Sequence, residues 1–269
     1  MNVHVITGGS SGIGKEAAFS LKEGKVVITA RRENLLQEAV KELKEAGIDA
    51  VYKSCDISKP DQVRALFEFA EGFGEVKTLI NSAGVSGVGM DPKKTFEIDL
   101  VGTENILEVA MEYMNDGVIV LISSMMGHTV PPEKDRDQYL MNSKEDGNID
   151  KLVELANGKS DVAYNFSKRG VQLLVQKYAE VFGKKGGRIV SISPGVIMTP
   201  MAEKAAEEHP EQMEFLKSMT PAGRNGKPED IVNAINFLIS NQASFITGGD
   251  LKVDGGLSLN LGKLAKLKK

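Results

Sequence analysis

Tyr164 and Lys168 are the residues of this sequence whose types and spacing most directly suggest chemistry. They lie four positions apart, and residues i and i+4 of a helix share one face. An ammonium beside a phenol stabilises the phenolate, which prepares the phenol for proton transfer. The pair therefore predicts a general acid/base that needs a co-reactant.

A glycine-rich turn near the N-terminus predicts that co-reactant. Gly8, Gly12 and Gly14 follow a strand-like stretch at residues 3–7, with the spacing Gly-x-x-x-Gly-x-Gly. Glycine at such a turn lets the backbone N–H groups of a helix N-terminus approach a pyrophosphate. The turn thus predicts a dinucleotide site, with an ordinary glycine-rich turn as the alternative.

The end of the second predicted strand indicates which dinucleotide is bound. NAD sites usually have an acidic residue here for the ribose 2′-hydroxyl, whereas NADP sites use arginine for the 2′-phosphate. This chain has Arg31 and Arg32, and its first acid is Glu33. A guanidinium can bind phosphate through two parallel hydrogen bonds. The sequence therefore favours NADP(H), with NAD(H) as the alternative because arginines at the start of a surface helix are common.

Short apolar runs alternate with longer amphipathic stretches, which predicts repeated βαβ units. The predicted strands are residues 3–7, 26–30, 50–54, 78–81, 118–123, 188–193 and 250–253. The predicted helices are residues 13–23, 33–46, 60–73, 93–115, 162–182 and 228–240. The fold class is thus α/β: one Rossmann-like domain over residues 1–269, with a doubly wound parallel seven-stranded sheet and helices on both faces.

One segment, at about residues 128–161, interrupts this alternation. It is polar and strongly charged, and it offers one short helix at residues 149–157. Loops of this length are uncommon inside a compact domain and are usually functional or disordered. A lid, a subunit contact and a tolerated surface insertion are all compatible with the sequence.

Further motifs follow the glycine turn in a fixed order. Asn81-Ser82-Ala83-Gly84 comes after the fourth predicted strand, and Ser123-Ser124 ends the fifth. Residues 194–199 are Pro-Gly-Val-Ile-Met-Thr, and residues 253–256 are Val-Asp-Gly-Gly. Together with Tyr164 and Lys168, these motifs make the chain similar to the short-chain dehydrogenase/reductase family over nearly its whole length. The family's Asn-Asn-Ala-Gly motif carries one substitution here.

The resemblance implies a role for each motif. Tyr164 gives a proton to a carbonyl oxygen during reduction and takes it back during oxidation, and Lys168 assists it and binds the nicotinamide ribose. Ser124 hydrogen-bonds the substrate oxygen, whereas Ser123 can simply end the strand. The implied cofactor contacts are Gly8, Ser10, Ser11, Gly12, Ile13, Gly14, Arg31, Arg32, Asp56, Ile57, Asn81, Ala83, Gly84, Tyr164, Lys168, Pro194, Gly195, Val196 and Thr199.

Two departures from the family pattern stand out. The asparagine that is the fourth member of the family's catalytic set is Asp99 here, which can preserve a proton relay or alter the charge balance beside Lys168. The spacing from Ser124 to Tyr164 is also longer than in most relatives. A comparable insertion occurs in bacterial hydroxysteroid dehydrogenase/carbonyl reductase members, where it helps to form an unusual subunit contact.

The composition of the chain limits the kinds of partner that it is expected to bind. A net charge of −4 gives no general attraction for nucleic acid or anionic membranes, and the basic tail at residues 263–269 is too short to anchor the chain. Cys55 is the only cysteine, so an intrachain disulfide is impossible and a reducing, cytoplasmic location is expected. His4, His128 and His209 show no metal-ligand spacing, and no metal is predicted.

The leading hypothesis is an NADP(H)-dependent oxidoreductase that interconverts a secondary alcohol and a ketone. The insertion points to a bulky apolar substrate such as a hydroxysteroid or bile acid, and the family implies a homo-oligomer. Met198, Met201 and the segment to residue 219 can complete the substrate mouth, or the methionines can be core residues. The alternatives are a 3-oxoacyl-thioester reductase of fatty-acid type and a non-catalytic NADP(H)-sensing protein.

Overall fold

The computed structural model describes residues 1–208 and 210–260 and is built around one seven-stranded parallel sheet. Its strands are β1 (Asn2–Thr7), β2 (Lys25–Thr29), β3 (Ala50–Tyr52), β4 (Glu75–Asn81), β5 (Gly117–Ile122), β6 (Gly187–Pro194) and β7 (Asp250–Val253). They are ordered β3-β2-β1-β4-β5-β6-β7, and the direction of winding reverses between β1 and β4. The predicted fold class is therefore confirmed.

Eleven α-helices lie within the described residues. They are α1 (Gly12–Ser20), α2 (Glu33–Glu45), α3 (Pro60–Glu71), α4 (Pro92–Phe96), α5 (Gly102–Tyr113), α6 (Lys134–Met141), α7 (Asn148–Leu155), α8 (Ser160–Gly183), α9 (Pro200–Glu208), α10 (Pro210–Ser218) and α11 (Pro228–Ile239). None within the described ranges is both long and apolar enough to cross a lipid bilayer.

The core has two layers, one on each face of the sheet. On one face, apolar residues of α3, α5 and α8 pack on the strands, including Phe67, Leu107 and Leu174. On the other face, α1, α2 and α11 contribute, including Leu36 and Ile235. The strands are apolar on both faces, as expected for a parallel sheet covered by helices.

The predicted helix over residues 93–115 is wrong in one respect, because a π turn interrupts it at Glu97–Val101. The hydroxyl of Thr103 donates to the Asp99 backbone carbonyl at 2.7 Å, inside this turn. Single π turns within helices often occur at functional sites. The interruption matters here because it contains Asp99.

Helices α6, α9 and α10 were not predicted. The first five residues of α6 are charged or polar, and Arg136 among them is only 9% exposed because it contacts Asp137 and the Phe166 ring. Helix α10 buries none of its described residues and so lacks the apolar face from which a helix is predicted. The basic tail at 263–269 and His209 lie outside the described residues.

Candidate active site

The carboxyl ends of β1, β4, β5 and β6 bring the sequence motifs to one edge of the sheet. At this edge Thr7 is in register with Asn81. The Thr7 hydroxyl donates to Asn81 Oδ1 at 2.6 Å and accepts from the Ala83 N–H at 3.0 Å, while Asn81 Nδ2 donates to the Thr103 hydroxyl at 3.1 Å. The buried Asn81 amide therefore holds the loop after β4 against β1. Its contact with a cofactor stays a prediction.

The glycine turn has the geometry that a pyrophosphate needs. Gly8 and Gly12 have φ angles of +67° and +56°, which only glycine adopts without strain. A Cβ on Gly8 would lie 2.8 Å from the Ser82 carbonyl, and one on Gly14 would lie 2.6 Å from the Gly8 oxygen. Helix α1 begins here without a side-chain cap and without an acid in its first turn. Its first N–H groups are thus suited to an anion.

Arg31 and Arg32 lie exposed at the end of β2. Within residues 1–208 and 210–260, neither guanidinium makes a hydrogen bond or an ion pair. Glu33, the first acid, instead accepts a hydrogen bond from the Tyr52 hydroxyl at 3.1 Å. Two cations at this position therefore remain available to a ligand.

The loop after β3 carries Asp56 and Ile57. One Asp56 oxygen accepts from the Ser58 N–H at 3.0 Å and from its hydroxyl at 2.8 Å. Ile57 is buried, and its carbonyl accepts from Asn105 Nδ2 at 3.0 Å. These bonds fix the loop in the position where the resemblance implies an adenine contact.

The segment after β6 closes the other side of the edge. The Gly195 N–H donates to the Val253 carbonyl at 3.0 Å, and the Val196 carbonyl accepts from Gly226 at 2.8 Å. A Cβ on Gly12 would lie 3.5 Å from Thr199 Cγ2, so Thr199 contacts the glycine turn. The structure thus brings the first and sixth strand ends together around one site. Ser10, Ser11, Ile13, Gly84 and Pro194 border the same edge.

Tyr164 and Lys168 lie one turn apart on α8, as predicted. Lys168 Nζ donates to the Ile122 carbonyl at 3.3 Å and lies 5.5 Å from the centre of the Tyr164 ring. Within the described part of the chain, the Tyr164 hydroxyl has no hydrogen-bond partner. The phenol is therefore free to bond a substrate oxygen beside a fixed ammonium.

The two adjacent serines have different bonds. The Ser123 hydroxyl donates to the Lys168 backbone carbonyl at 2.8 Å and so links β5 to α8. Ser124 Oγ accepts from the Met126 N–H at 3.1 Å, at the start of the 3₁₀ turn Met125–Thr129. A hydroxyl has one proton to donate, and that of Ser124 has no acceptor among the described residues. This difference supports Ser124 as the substrate-binding serine.

Asp99 lies directly behind Lys168. Its Oδ1 accepts from the Val85 N–H at 2.8 Å, and its Oδ2 lies 3.8 Å from Lys168 Nζ without a hydrogen bond. Burial raises the pKa of the Asp99 carboxyl, while the Lys168 charge and the Val85 N–H oppose that rise. Asp99 is thus a buried group whose ionised form depends on Lys168.

Sequence reasoning missed the backbone partners of this site, namely the Ile122 carbonyl and the Val85 N–H. It also missed Gln172, whose amide donates to the Ser193 hydroxyl at 3.1 Å and lies 3.4 Å from the Ser124 carbonyl. Gln172 follows Tyr164 by eight positions and so shares its helix face, which was the available signal.

The segment at residues 128–161, which the sequence predicts to be an insertion, packs against α5 and α8. Asp137 of α6 binds the Arg169 guanidinium through two oxygens, and Arg136 stacks over the Phe166 ring at 4.9 Å. The Ser143 hydroxyl, just after α6, donates to buried Glu104 at 2.6 Å. Arg169 directly follows Lys168, so this segment braces α8 next to Lys168.

Met198 belongs to the predicted substrate mouth, and Met125 and Met126 directly follow Ser124 in the sequence. Met125 is buried, whereas Met126 and Met198 are partly exposed. Asn225 Nδ2 lies 3.5 Å from the Met198 sulfur. The Met201 side chain is not among those described.

Comparison with known proteins gives relatives over almost the whole chain. A family model described as short chain dehydrogenase matches residues 2–134, and one described as Enoyl-(Acyl carrier protein) reductase matches residues 148–258. L-rhamnose 1-dehydrogenase (NAD(P)(+)) from a Sphingomonas species is 29% identical over 272 residues, covering 96% of each chain. 3beta-hydroxysteroid dehydrogenase 1 from Eggerthella lenta is 31% identical over 260 residues, covering 95% of this chain and 93% of the relative.

Solved structures agree with these relatives. A 7 alpha-hydroxysteroid dehydrogenase in complex with NADH and 7-oxo glycochenodeoxycholic acid superposes with a TM-score of 0.79 and 27% identity. The match covers 95% of this chain and 93% of that one. With the motifs at one sheet edge and relatives above 30% identity along nearly its full length, the chain belongs to the short-chain dehydrogenase/reductase family.

Proposed function

We propose that the chain is an NADP(H)-dependent oxidoreductase that interconverts a secondary alcohol and a ketone. The observation that carries the proposal is that the hydroxyl protons of Tyr164 and Ser124 have no acceptor among the described residues, while the Lys168 ammonium lies 5.5 Å from the centre of the Tyr164 ring. They lie at the sheet edge that also holds the glycine turn. Two hydroxyl groups with a proton still to donate suit a carbonyl oxygen that becomes negatively charged during reduction.

Each residue of the site has its own role in the proposed reaction. A bound nicotinamide dinucleotide supplies the hydride. Ser124 Oγ–H and Tyr164 Oη–H hold the carbonyl oxygen, and Tyr164 transfers its proton to that oxygen as charge develops. Lys168, held by the Ile122 carbonyl, stabilises the phenolate that remains. In the oxidative direction Tyr164 takes the proton back.

The cofactor proposal follows from the unused groups at the edge. The N–H groups at the start of α1 receive the pyrophosphate, the Asp56–Ile57 loop borders the adenine, and the Pro194–Thr199 segment holds the nicotinamide. Arg31 and Arg32 receive a 2′-phosphate, because they are exposed cations without partners in the described structure. These features support NADP(H) over NAD(H).

We infer a bulky apolar substrate such as a hydroxysteroid or bile acid. The hydroxysteroid dehydrogenases among the relatives support this class, as do the partly exposed Met126 and Met198. Thioether side chains adapt to irregular apolar ligands. The competing substrate is a 3-oxoacyl thioester. The match of residues 148–258 to a model described as Enoyl-(Acyl carrier protein) reductase supports acyl thioesters as a class and not the 3-oxo group itself.

A panel assay separates these substrates. Purified protein is mixed with NADPH or NADH and a steroid ketone, a 7-oxo bile acid, a keto sugar or acetoacetyl-CoA, and absorbance at 340 nm is followed. Turnover of a steroid or bile-acid ketone with NADPH is the expected result, and preferential turnover of acetoacetyl-CoA would establish the competing function. Tight NADPH binding without turnover of any carbonyl would support a cofactor-sensing protein instead.

We also propose that the chain forms a homo-oligomer through the exposed edge of β7. Phe245 is fully exposed, and Ile246 and Leu251 beside it are more than a third exposed. Within the described residues, β7 pairs only with β6, so its other side can meet a second copy. Light scattering should give a multiple of 29.0 kDa for the wild type and a smaller mass for Phe245→Glu. A wild-type monomer would exclude this interface. A cytoplasmic location is proposed as well, since a single cysteine allows no intrachain disulfide.

A further inference from the structure

A network of polar side chains connects β7 with the turn that follows Ser124. Its central residue is Asp250, whose side chain is only 12% exposed. One carboxyl oxygen, Oδ1, accepts from the Ser191 hydroxyl at 2.6 Å and from the Ser193 hydroxyl at 2.9 Å. The other oxygen, Oδ2, lies 2.7 Å from His128 Nε2. Asp250 therefore bonds β6 through one oxygen and the turn through the other.

The register of the strands places the two serines. Ser191 is the β6 partner of Asp250, and Ser193, two residues further on, points to the same face of the sheet. Both serines are fully buried. Gln172 of α8 donates to the Ser193 hydroxyl at 3.1 Å and lies 3.4 Å from the Ser124 carbonyl. The network thus approaches Ser124 from α8 as well as from β7.

His128 lies in the 3₁₀ turn Met125–Thr129, which directly follows Ser124. Close packing holds this turn against α8, because a Cβ on Gly127 would lie 2.9 Å from the Arg169 backbone nitrogen. The contact of His128 with Asp250 holds the turn against β7. Inside the turn, the Met126 N–H donates to Ser124 Oγ at 3.1 Å. A shift of the turn would therefore move the Ser124 hydroxyl with it.

We propose that His128 and Asp250 are positioning residues, which hold the Met125–Thr129 turn so that the Ser124 hydroxyl stays directed at the substrate oxygen. The inference rests on the proposed function for the role of Ser124. A hydrogen bond between Nε2 and Oδ2 needs one proton, whichever atom carries it, so the contact does not depend on the charge of either side chain. Misplacing a reacting group by about 1 Å can lower a rate by about 10²-fold. The His128 side chain is 32% exposed, so its replacement disturbs the turn more than the core.

Two replacements of His128 test the proposal in carbonyl reduction. His128→Phe keeps an aromatic ring but cannot bond Asp250, whereas His128→Gln offers an amide in place of the ring nitrogen. His128→Phe should lower kcat by about tenfold, with the carbonyl KM and the NADPH Kd within about threefold of wild type. His128→Gln should keep more than about a third of the wild-type kcat, because it restores the bond. An unchanged kcat in His128→Phe overturns the inference, as does an equal loss in both variants or a loss confined to KM.

A measurement without substrate keeps this result separate from the proposed function. Hydrogen exchange is followed by mass spectrometry in peptides over residues 123–130, where the N–H groups of Met126 and Gly127 bond Ser124. These amides should exchange about fivefold faster in His128→Phe and at the wild-type rate in His128→Gln. Asp250→Ala should exchange as fast as His128→Phe, and combining the two should add little, because both remove the same bond. Unchanged exchange in His128→Phe refutes the inference even where turnover is established. Faster exchange in a protein that reduces no carbonyl supports the hold on the turn and contradicts the proposed function alone.

Discussion

Replacing Arg31 by serine should change the choice of cofactor. Charge-assisted hydrogen bonds contribute about 1.5–3 kcal/mol, and the exposure of Arg31 places it towards the lower end because water and salt screen the contact. A loss of about 1–2 kcal/mol corresponds to a roughly 5–30-fold lower kcat/KM for NADPH. The value for NADH should hardly change, since that cofactor has no 2′-phosphate.

The assay measures kcat/KM for NADPH and NADH with one saturating carbonyl substrate at two ionic strengths. In the wild type, the ratio of kcat/KM for NADPH to kcat/KM for NADH should fall at high salt. In Arg31→Ser this ratio should be lower than in the wild type at both ionic strengths. Arg64→Ser is the matched control, because Arg64 is an exposed arginine on α3 that pairs with Glu112 at 2.7 Å. A change of less than twofold in the NADPH/NADH ratio on losing Arg31 would refute the assignment of the 2′-phosphate site.

Three further predictions concern the scaffold. Gly8→Ala should weaken NADPH binding, and in calorimetry it should lower the free energy of unfolding by more than Gly47→Ala does. Both glycines have a positive φ, but only at Gly8 would a new Cβ meet backbone atoms, at 2.8 Å. Equal losses of unfolding free energy in the two variants would contradict this. Asp137→Asn leaves two poorly exposed arginines without their carboxylate, so unfolding should cost about 2–3 kcal/mol less and the Tm should fall by about 5–10 °C in a thermal melt. A Tm within 1 °C of wild type would show that the insertion is not anchored there. Burial raises the pKa of the Cys55 thiol to about 12, so a thiol reagent at pH 8 should label the native protein more than about 100-fold slower than the unfolded chain, and fast native labelling would show that this strand end opens.

Local patterns were sufficient to predict the sheet. Each strand is a short apolar run bounded by polar or glycine residues, and all seven were found, although β4 begins three residues earlier than predicted and β3 ends two residues sooner. The glycine turn and the Tyr164–Lys168 pair were also found, because their spacing is fixed by one turn or one helix face.

The contacts that the sequence did not reveal depend on distant parts of the chain. Asp99 is polar in a helical pattern, and only the fold shows that it is buried between Val85 and Lys168. Helix α6 is polar because Asp137 meets Arg169, which lies 32 residues further along the chain. Such pairs cannot be predicted from the spacing of apolar residues, since charge rather than apolar surface stabilises their burial.

We propose Tyr164 as the proton donor of a nicotinamide-dependent carbonyl reduction. The most direct measurement compares single-turnover reduction by the wild type and by Tyr164→Phe, with NADPH binding measured by fluorescence on the same samples. A positioned acid contributes about 10²–10⁴-fold, so the rate should fall by about 10³-fold while the NADPH Kd stays within threefold. A variant that keeps more than a tenth of the wild-type rate would contradict the claim.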